Sequence, residues 1–140
     1  MNDRAFLDTN IIVYLFDGRT PTKQRAAGKL LQKLADEQVV PVVSTQVLQE
    51  TYAALTRKLN MNPAEALAAL QMMEGASFFV ESVDVPLIWR GAARSIDDKL
   101  SFWDGLIVES ALAAQCTRLY TEDLQRGRTF GSVTVVNPFV

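Results

Sequence analysis

The sequence predicts an α/β protein in which a central, mostly parallel sheet of about five strands carries helices on both faces. Short apolar runs rich in β-branched residues alternate along the chain with longer amphipathic segments. Helical segments separate most of the strand candidates, which is the order that a parallel sheet requires. The chain of 140 residues contains no repeat and no linker-like stretch, and a domain commonly has roughly 100–150 residues. We therefore expect one three-layer domain over residues 1–140.

The elements of the first half follow from local patterns. Residues 5–7 form a short apolar strand, and small polar side chains at 8–10 are good helix caps. The run at 11–16 is ambiguous, because its β-branched residues suit a strand while its flanks suit a short buried helix. Apolar residues at helical spacing over 22–37 predict an amphipathic helix, and four valines over 38–43 predict the next strand.

The second half continues this alternation. Ser44 and Thr45 are suited to cap a helix that reaches about residue 59, and Pro63 fits the first turn of a helix that ends near residue 73. The remaining elements are three strand candidates, at 78–80, 118–120 and 132–136, and two helices, at 85–95 and 102–115.

The composition excludes several kinds of catalytic site. The chain contains no histidine, so a Ser-His-Asp or Cys-His system, a histidine base and a histidine metal ligand are all excluded. Its single cysteine, Cys116, cannot form a disulfide within the chain, which fits a reducing compartment and an inert thiol in the core. Any hydrolytic chemistry must therefore be carried out by carboxylates.

Charge and hydropathy limit the partners and the location. The chain has 14 Lys and Arg against 16 Asp and Glu, a net charge of −2, which argues against binding nucleic acid through a general positive field. The sequence lacks both a secretory signal pattern and a long apolar run. We expect a cytoplasmic protein with no membrane contact, whose nucleic-acid contacts depend on a local patch or on metal ions.

Acidic residues recur near the carboxyl ends of the predicted strands, where the reactive crevice of an open parallel sheet lies. Asp8 follows the first strand, and Glu50 lies in the first half of the helix after the second strand. Asp104 opens a helix, and Glu122 and Asp123 follow the strand at residues 118–120.

Each acid taken alone also has a structural explanation. Asp8 suits a helix N-cap, and the segment from Ser101 to Asp104 matches a capping box. The acids at 122 and 123 suit the first turn of a short helix, where they favour its dipole. Glu50 is harder to explain in this way, because it flanks a buried apolar stripe where an unpaired charge is costly.

Together the four acidic segments predict a metal site. A cluster of carboxylates repels itself and raises its own pKa values unless divalent cations occupy it. With only oxygen ligands on offer, Mg²⁺ or Mn²⁺ is preferred over Zn²⁺. Asn10, Ser44 and Thr121 offer neutral oxygens nearby. Such ions activate a water for attack on a phosphodiester.

Four motifs in this order resemble those of the PIN-domain nucleases, in particular the VapC-type toxins of bacterial type II toxin–antitoxin pairs. The motifs are FLDTNI at 6–11, QE at 49–50, FWDGLI at 102–107 and LYTEDL at 119–124. The resemblance implies a PIN-like sandwich and an Mg²⁺- or Mn²⁺-dependent endoribonuclease, which hydrolyses RNA with a metal-activated water. The implied metal-binding and catalytic residues are Asp8, Glu50, Asp104 and Asp123, supported by Asn10 and Thr121.

The resemblance also implies partners. They are an RNA substrate, a small antitoxin whose basic residues enter the acidic groove, and a second copy of the chain in a homodimer. Two positions depart from the family pattern. Glu109 stands where many members have a small residue, and Glu122 beside Asp123 leaves two candidates for the fourth acid.

Basic and aromatic residues add further expectations. Arg126 and Arg128 follow the last acid closely, so we expect them, together with Arg19, to contact RNA phosphates. We expect Trp89 and Trp103 to fill core or dimer contacts rather than to stack on bases.

Other interpretations compete with a nuclease. A non-catalytic PIN-like interaction module, or an RNA-maturation subunit, would keep the fold and the pocket without turnover. A small-molecule phosphatase or a phosphoacceptor receiver domain also places an aspartate after the first strand. A receiver needs paired acids and a late lysine, and no lysine follows Lys99. A phosphatase of the haloacid-dehalogenase type needs a second aspartate where this chain has Asn10.

Overall fold

A six-stranded sheet forms the centre of the protein, which a computed structural model describes over residues 2–140. The strands are β1 (Arg4–Leu7), β2 (Val40–Ser44), β3 (Phe79–Glu81), β4 (Arg118–Tyr120), β5 (Thr129–Phe130) and β6 (Val133–Val136). They lie in the order β3-β2-β1-β4-β6-β5. Only the β5 and β6 pair is antiparallel, and the other neighbours are parallel. The predicted α/β fold is confirmed, with the two-residue β5 as an additional strand.

Six helices connect the strands in the described part of the chain. They are α1 (Thr9–Phe16), α2 (Pro21–Asp36), α3 (Thr45–Arg57), α4 (Pro63–Gly75), α5 (Val85–Asp97) and α6 (Phe102–Ala113). The ambiguous run at 11–16 is therefore helical. Asp8 caps α1 by accepting a hydrogen bond from the Thr9 amide at 2.7 Å. Ile11 and Ile12 are fully buried, so the apolar side of this short helix packs into the core.

Two residues in the left-handed region explain where element boundaries differ from prediction. The strand expected from residue 38 begins at Val40, because Gln38 has a φ of 58° in the turn that ends α2. The last long helix stops at Ala113, two residues early, before Gln115 at a φ of 59°.

Both faces of the central strands are covered. Ala5, Phe6 and Leu7 are consecutive in β1 and all fully buried, although successive strand residues point to opposite faces. Helices must therefore pack on both sides of the sheet, as the predicted sandwich requires. Cys116 is also buried, and burial raises the pKa of its thiol to about 12. Within residues 2–140, no helix has the length and hydropathy that a bilayer crossing requires.

Two glycines bring α5 and α6 into direct backbone contact. A Cβ atom added to Gly105 would collide with the carbonyl oxygen of Gly91. A Cβ atom on Gly91 would lie 2.7 Å from a methyl carbon of Leu106. Asp104 immediately precedes Gly105, so this contact fixes the position of the first turn that carries the Asp104 carboxylate.

Glu109 belongs to the same helix contact. Its side chain is buried in α6 and accepts a hydrogen bond from Arg94 Nε of α5. Its other oxygen lies 3.4 Å from Arg90 Nε, and Arg94 also pairs with Asp98 at 2.8 Å. The structure therefore gives this unassigned acid a packing role, because its buried carboxylate joins α6 to two arginines of α5 that compensate its charge.

The contact between Gly91 and Gly105 predicts that adding a single methyl group there lowers the stability of the protein. Gly105→Ala should lower the free energy of unfolding by about 1–3 kcal/mol, since overpacking forces the two helices apart. Gly28→Ala is the matched control, because it lies within α2 and an added Cβ meets nothing within 4 Å. It should leave stability unchanged or raise it by up to about 1 kcal/mol. Urea denaturation measures both, and equal effects would contradict the close helix approach.

Candidate active site

A cavity of about 380 Å³ opens at the carboxyl ends of the central parallel strands. Its walls come from α1, α3, the first turns of α6 and the segment that follows β4. The four acids singled out in the sequence all line it, and they are Asp8, Glu50, Asp104 and Asp123. Chain topology therefore brings together carboxylates that lie up to 115 positions apart, from Asp8 to Asp123.

Asp8 is the most deeply buried of these acids. Its backbone amide continues the sheet by donating to the Tyr120 carbonyl at 3.0 Å. Its side chain is 5% exposed and accepts hydrogen bonds from the Thr9 amide and from Thr121 Oγ1, the latter at 2.8 Å. Burial raises the pKa of Asp8 to about 7, and the negative charges of Asp123 and Asp104 add to this rise while the two hydrogen bonds oppose it. An ionised Asp8 therefore needs a cation nearby.

Asn10 and Thr121 hold Asp123 next to Asp8. Asn10 Nδ2 donates to Asp123 Oδ2 at 2.9 Å and to Thr121 Oγ1 at 3.4 Å. Thr121 Oγ1 also accepts from the Asp123 amide at 3.1 Å. The hydroxyl of Thr121 thus links the two carboxylate segments directly.

Glu122 lies in the same cavity but faces different partners. It accepts hydrogen bonds from the Tyr14 hydroxyl at 2.6 Å and from Lys23 Nζ at 2.8 Å. Burial alone would raise the pKa of Glu122. The hydrogen bond from Lys23, followed by the bond from Tyr14, outweighs this effect, so the pKa of Glu122 is lowered. The predicted short helix around these acids is not formed, since residues 121–128 are bends and turns. The structure therefore separates Glu122, paired with a lysine, from Asp123, joined to Asp8.

Glu50 is held by two residues that the sequence analysis did not single out. Thr9 Oγ1 donates to Glu50 Oε1 at 2.9 Å, and Gln46 Nε2 reaches the same oxygen at 3.5 Å. Gln46 also donates to the Trp103 carbonyl at 3.4 Å, which connects α3 to the start of α6. A signal for Gln46 was present, because it stands one helical turn before Glu50 and so shares its face.

Asp104 lines the cavity from the first turn of α6. The Ser101 hydroxyl caps this helix by accepting from the Asp104 amide at 3.0 Å. Burial raises the pKa of Asp104, and the charge of Asp123 adds to the effect. The neighbouring Trp103 also lines the cavity and is 59% exposed. Of the two places expected for Trp103, the core is therefore wrong, because its position in the first helical turn directs it to the cavity mouth, and a dimer contact stays a prediction.

The remaining supporting and basic candidates lie apart from the acids. Ser44 is fully buried and caps α3 by accepting from the Val47 amide, and it does not line the cavity. Arg19 reaches only the rim, where it makes two hydrogen bonds to Asp17, at 2.9 and 3.1 Å.

Arg126 and Arg128 do not line the cavity. Arg128 donates to the Asp98 carbonyl at 3.2 Å, and its guanidinium lies 4.6 Å from the centre of the Phe130 ring. The nearness of these arginines to Asp123 in sequence does not carry over to the cavity, because the turns after residue 123 lead the chain back toward α5.

The oxygen donors of the cavity fit a hard divalent cation. Two buried amide oxygens of lining residues, Asn10 Oδ1 and Gln46 Oε1, have no hydrogen-bond partner among the described residues. Within residues 2–140, no three acidic side chains are gathered tightly enough to hold an ion by themselves. Mg²⁺ accepts such a site, because it commonly binds through one or two carboxylates and keeps several waters.

The chain belongs to the PIN-domain family, whose family model matches residues 5–129. The family resemblance seen in the four motifs is thereby confirmed. No curated protein matches the chain in sequence.

Solved structures share the fold over nearly the whole chain. A toxin–antitoxin complex from Klebsiella pneumoniae is similar with a TM-score of 0.68 and 21% identity, covering 96% of this chain and 97% of that chain. VapC20 from Mycobacterium tuberculosis, a sarcin–ricin loop cleaving toxin, has a TM-score of 0.60 and 23% identity over 85% of this chain and 91% of its own. VapBC2 from Rickettsia felis, bound to a promoter DNA fragment, has a TM-score of 0.65 and 16% identity over 94% and 96%.

The burial of Asp8 predicts a stability that falls as pH rises in the metal-free protein. The folded-state pKa of about 7 lies above the unfolded value of 3.8, so the native state holds this proton more tightly. Stability linked to Asp8 is complete below pH 4 and is lost as pH rises through 7. Asp8→Asn removes the charge while its amide oxygen can still cap α1. In EDTA it should raise the free energy of unfolding at pH 8 by about 1–3 kcal/mol, and by much less at pH 4.

The control for this experiment is Asp97→Asn, which changes an exposed aspartate of α5 outside the cavity. Its effect should be small and the same at both pH values. If Asp8→Asn destabilised the protein equally at both, burial of the charge would not be the dominant factor.

Proposed function

We propose that this protein is an endoribonuclease that depends on Mg²⁺ or Mn²⁺, and that it is the toxin of a toxin–antitoxin pair. The observation that carries this proposal is the meeting of four acids from separate segments in one cavity of a PIN-domain chain. The solved toxins and toxin–antitoxin complexes that share its fold support the biological role.

The residues that would hold the ion, directly or through its bound waters, are Asp8, Asp104, Asp123 and Glu50, which line the same cavity. The bound ion would lower the pKa of a water and bind a phosphate oxygen. Thr121 and Asn10 keep two of these carboxylates in place, and Thr9 with Gln46 keeps Glu50 in place. Because the chain has no histidine, the proton of the attacking water must pass to a carboxylate or to solvent.

Electrostatics also supports metal dependence of RNA binding. Six acids line the cavity, and they are Asp8, Asp17, Glu50, Asp104, Glu122 and Asp123. Arg19 and Lys23 pair with Asp17 and Glu122, and Lys58 is the one cation among the described lining residues, so the acids still outnumber the cations. A phosphate approaching this surface is repelled unless a divalent cation offsets the charge. The same excess of negative charge suits the basic side chains of an antitoxin, and the structures of toxin–antitoxin complexes with this fold support that partner. RNA and antitoxin as partners agree with the cytoplasmic location expected from the sequence.

An exposed apolar stripe on α5 supports the expected homodimer. Val85, Trp89 and Ile96 are 58%, 67% and 78% exposed. At 100° per residue, positions 85, 89 and 96 fall within about 40° of one another around the helix. A contiguous apolar face of this kind on a small protein marks an interaction surface. Trp89 is therefore not a core residue, and its role in a dimer contact remains a prediction.

Cleavage of labelled single-stranded and hairpin RNAs tests the enzyme directly. The purified protein should cut RNA with Mg²⁺ or Mn²⁺ and not with EDTA. Asp104→Asn should lower the rate about 100-fold or more, because it removes one metal-binding charge and keeps the amide that Ser101 caps. Asp97→Asn should retain full activity. Equal activity of Asp104→Asn and the unsubstituted protein would contradict the proposal. Absence of cleavage despite metal binding would favour the non-catalytic interaction module.

Two adjacent variants test which acid completes the site. Asp123→Asn should lose activity as Asp104→Asn does, while Glu122→Gln should stay within about tenfold of the unsubstituted protein, since Glu122 pairs with Lys23. Each variant removes one negative charge, and the two positions are adjacent. A general electrostatic effect would therefore lower the activity of both variants equally. A larger loss in Glu122→Gln would contradict the assignment.

The dimer proposal predicts a change of oligomeric state from one substitution. Ile96→Glu places a charge at the carboxyl end of the apolar stripe, on its most exposed residue, and should convert a dimer to a monomer, with unchanged circular dichroism. Light scattering after size-exclusion chromatography measures this. Arg25→Glu, on the exposed side of α2, is the control and should leave the dimer intact. A monomeric unsubstituted protein would contradict the proposed dimer.

A further inference from the structure

The cavity extends beyond the acids as a groove between α1 and α3. Three residues of α3 and its C-cap line it at intervals of four, and they are Gln46, Glu50, Ala54 and Lys58. Residues at this spacing share one face of a helix. Glu50 and Lys58 are eight positions apart, which is about 12 Å along the helix axis. The groove therefore has an acidic end and, about 12 Å away, an end that carries Lys58 beside Asp17, whose charge is paired with Arg19.

The two helices run side by side in the same direction. Each begins at the carboxyl end of one of two neighbouring parallel strands, where Asp8 caps α1 and Ser44 caps α3. Their last residues also meet, because Asp17 and Lys58, the C-caps of α1 and α3, both line the far end of the groove. Hydrogen bonds from Arg19 lower the pKa of Asp17, and the charge of Lys58 contributes.

Lys58 differs from the other cations around this groove. Arg19 is paired with Asp17 at 2.9 Å, and Lys23 is paired with Glu122 at 2.8 Å. The ion pairs found within residues 2–140 do not include Lys58, whose side chain is exposed to solvent. Its ammonium group is thus available to an anionic ligand without first breaking a bond.

The chemistry along the groove matches a single strand of RNA. Between the acidic end and Lys58, the floor includes the apolar side chains of Val13 and Ala54, which offer no donor to a phosphate. We propose that Lys58 binds a backbone phosphate of the substrate, downstream or upstream of the phosphate at the acids, so that the strand lies along the α1–α3 groove. A distance of ~12 Å corresponds to three or four nucleotides at the ~3.4 Å rise of a stacked strand, and to fewer in an extended one.

This inference rests on the proposed RNA substrate and adds a second contact point, remote from the reacting phosphate. Lys58 also lies at the carboxyl end of α3, where a cation is favoured by the helix dipole. Arg57 shares that position but does not line the groove. If these cations only stabilised the helix, Arg57 and Lys58 would both do so. Only Lys58 is placed to bind a phosphate in the groove.

Fluorescence anisotropy separates these roles. The probe is a labelled single-stranded oligoribonucleotide of random sequence and roughly twelve nucleotides, longer than the groove. Ca²⁺ replaces Mg²⁺, so that binding is measured while cleavage is slow. Lys58→Gln should weaken binding about 3- to 10-fold and make the slope of log K against log salt less steep by about 0.7, the value for one phosphate contact on a single strand. Arg57→Gln should change neither quantity, and Lys58→Arg should retain both.

Each other result overturns the inference. If Lys58→Gln and Arg57→Gln weakened RNA binding equally, Lys58 would contribute only to the general electrostatic field. If Lys58→Gln did not change RNA binding, Lys58 would make no contact with the RNA. In both cases the nuclease proposal stands if Asp104→Asn still abolishes cleavage. Failure of the unsubstituted protein to bind RNA with any divalent cation would overturn the proposed function together with this inference. Thermal unfolding of all variants checks that each is folded.

Discussion

The burial of the Asp8 carboxylate beside other acids is the constraint on which the rest of this structure depends. Asp8 is almost completely buried, and the charges of Asp123 and Asp104 lie near enough to raise its pKa further. Such an arrangement persists only because the fold holds the backbone in place at the ends of β1 and β4. A cation would turn the repulsion into attraction, so the same geometry that weakens the metal-free protein favours a metal-dependent enzyme.

The scaffold around the site opposes this repulsion with fixed contacts rather than with neighbouring cations. The hydroxyl of Thr121 joins Asp8 to the Asp123 segment, and the Asn10 amide holds the Asp123 side chain. Outside the cavity, the contact of Gly91 with Gly105 and the ion pair of Arg94 with the buried Glu109 hold α6 against α5. Asp104 projects from the first turn of that helix, so packing between two helices outside the cavity determines where its carboxylate lies.

The fold and the members of the acid cluster follow from sequence because they depend on local patterns. An aspartate directly after a buried strand, as Asp8 is, must lie at the sheet edge whatever the rest of the chain does. The choice between Glu122 and Asp123 could not be made in this way, because it depends on Lys23, which is 99 positions away from Glu122. Lys58 was missed for a similar reason. Only the parallel course of α1 and α3 shows that the end of α3 continues the cavity.

Two expectations that the structure contradicts, Trp103 in the core and a short helix at Glu122 and Asp123, depend on the path of the chain where an element begins or ends. Trp103 resembles a core residue by composition, but its place in the first turn of α6 exposes it at the cavity mouth. The segment after Asp123 forms turns instead of a helix, and these carry Arg128 to Asp98 and away from the cavity. Turns of this kind depend on tertiary contacts, so the hydrophobic periodicity of the sequence does not predict them.

Anomalous diffraction from crystals grown with Mn²⁺ shows directly whether the acidic cavity binds a divalent cation. We expect an anomalous peak in the cavity beside Asp8, Asp104 and Asp123, and no such peak in crystals of Asp104→Asn. Crystals of Glu122→Gln should keep the peak, since that acid is paired with Lys23. A cavity without manganese at saturating concentration, or a peak that persists in Asp104→Asn and disappears in Glu122→Gln, would show that these three aspartates do not form the metal site.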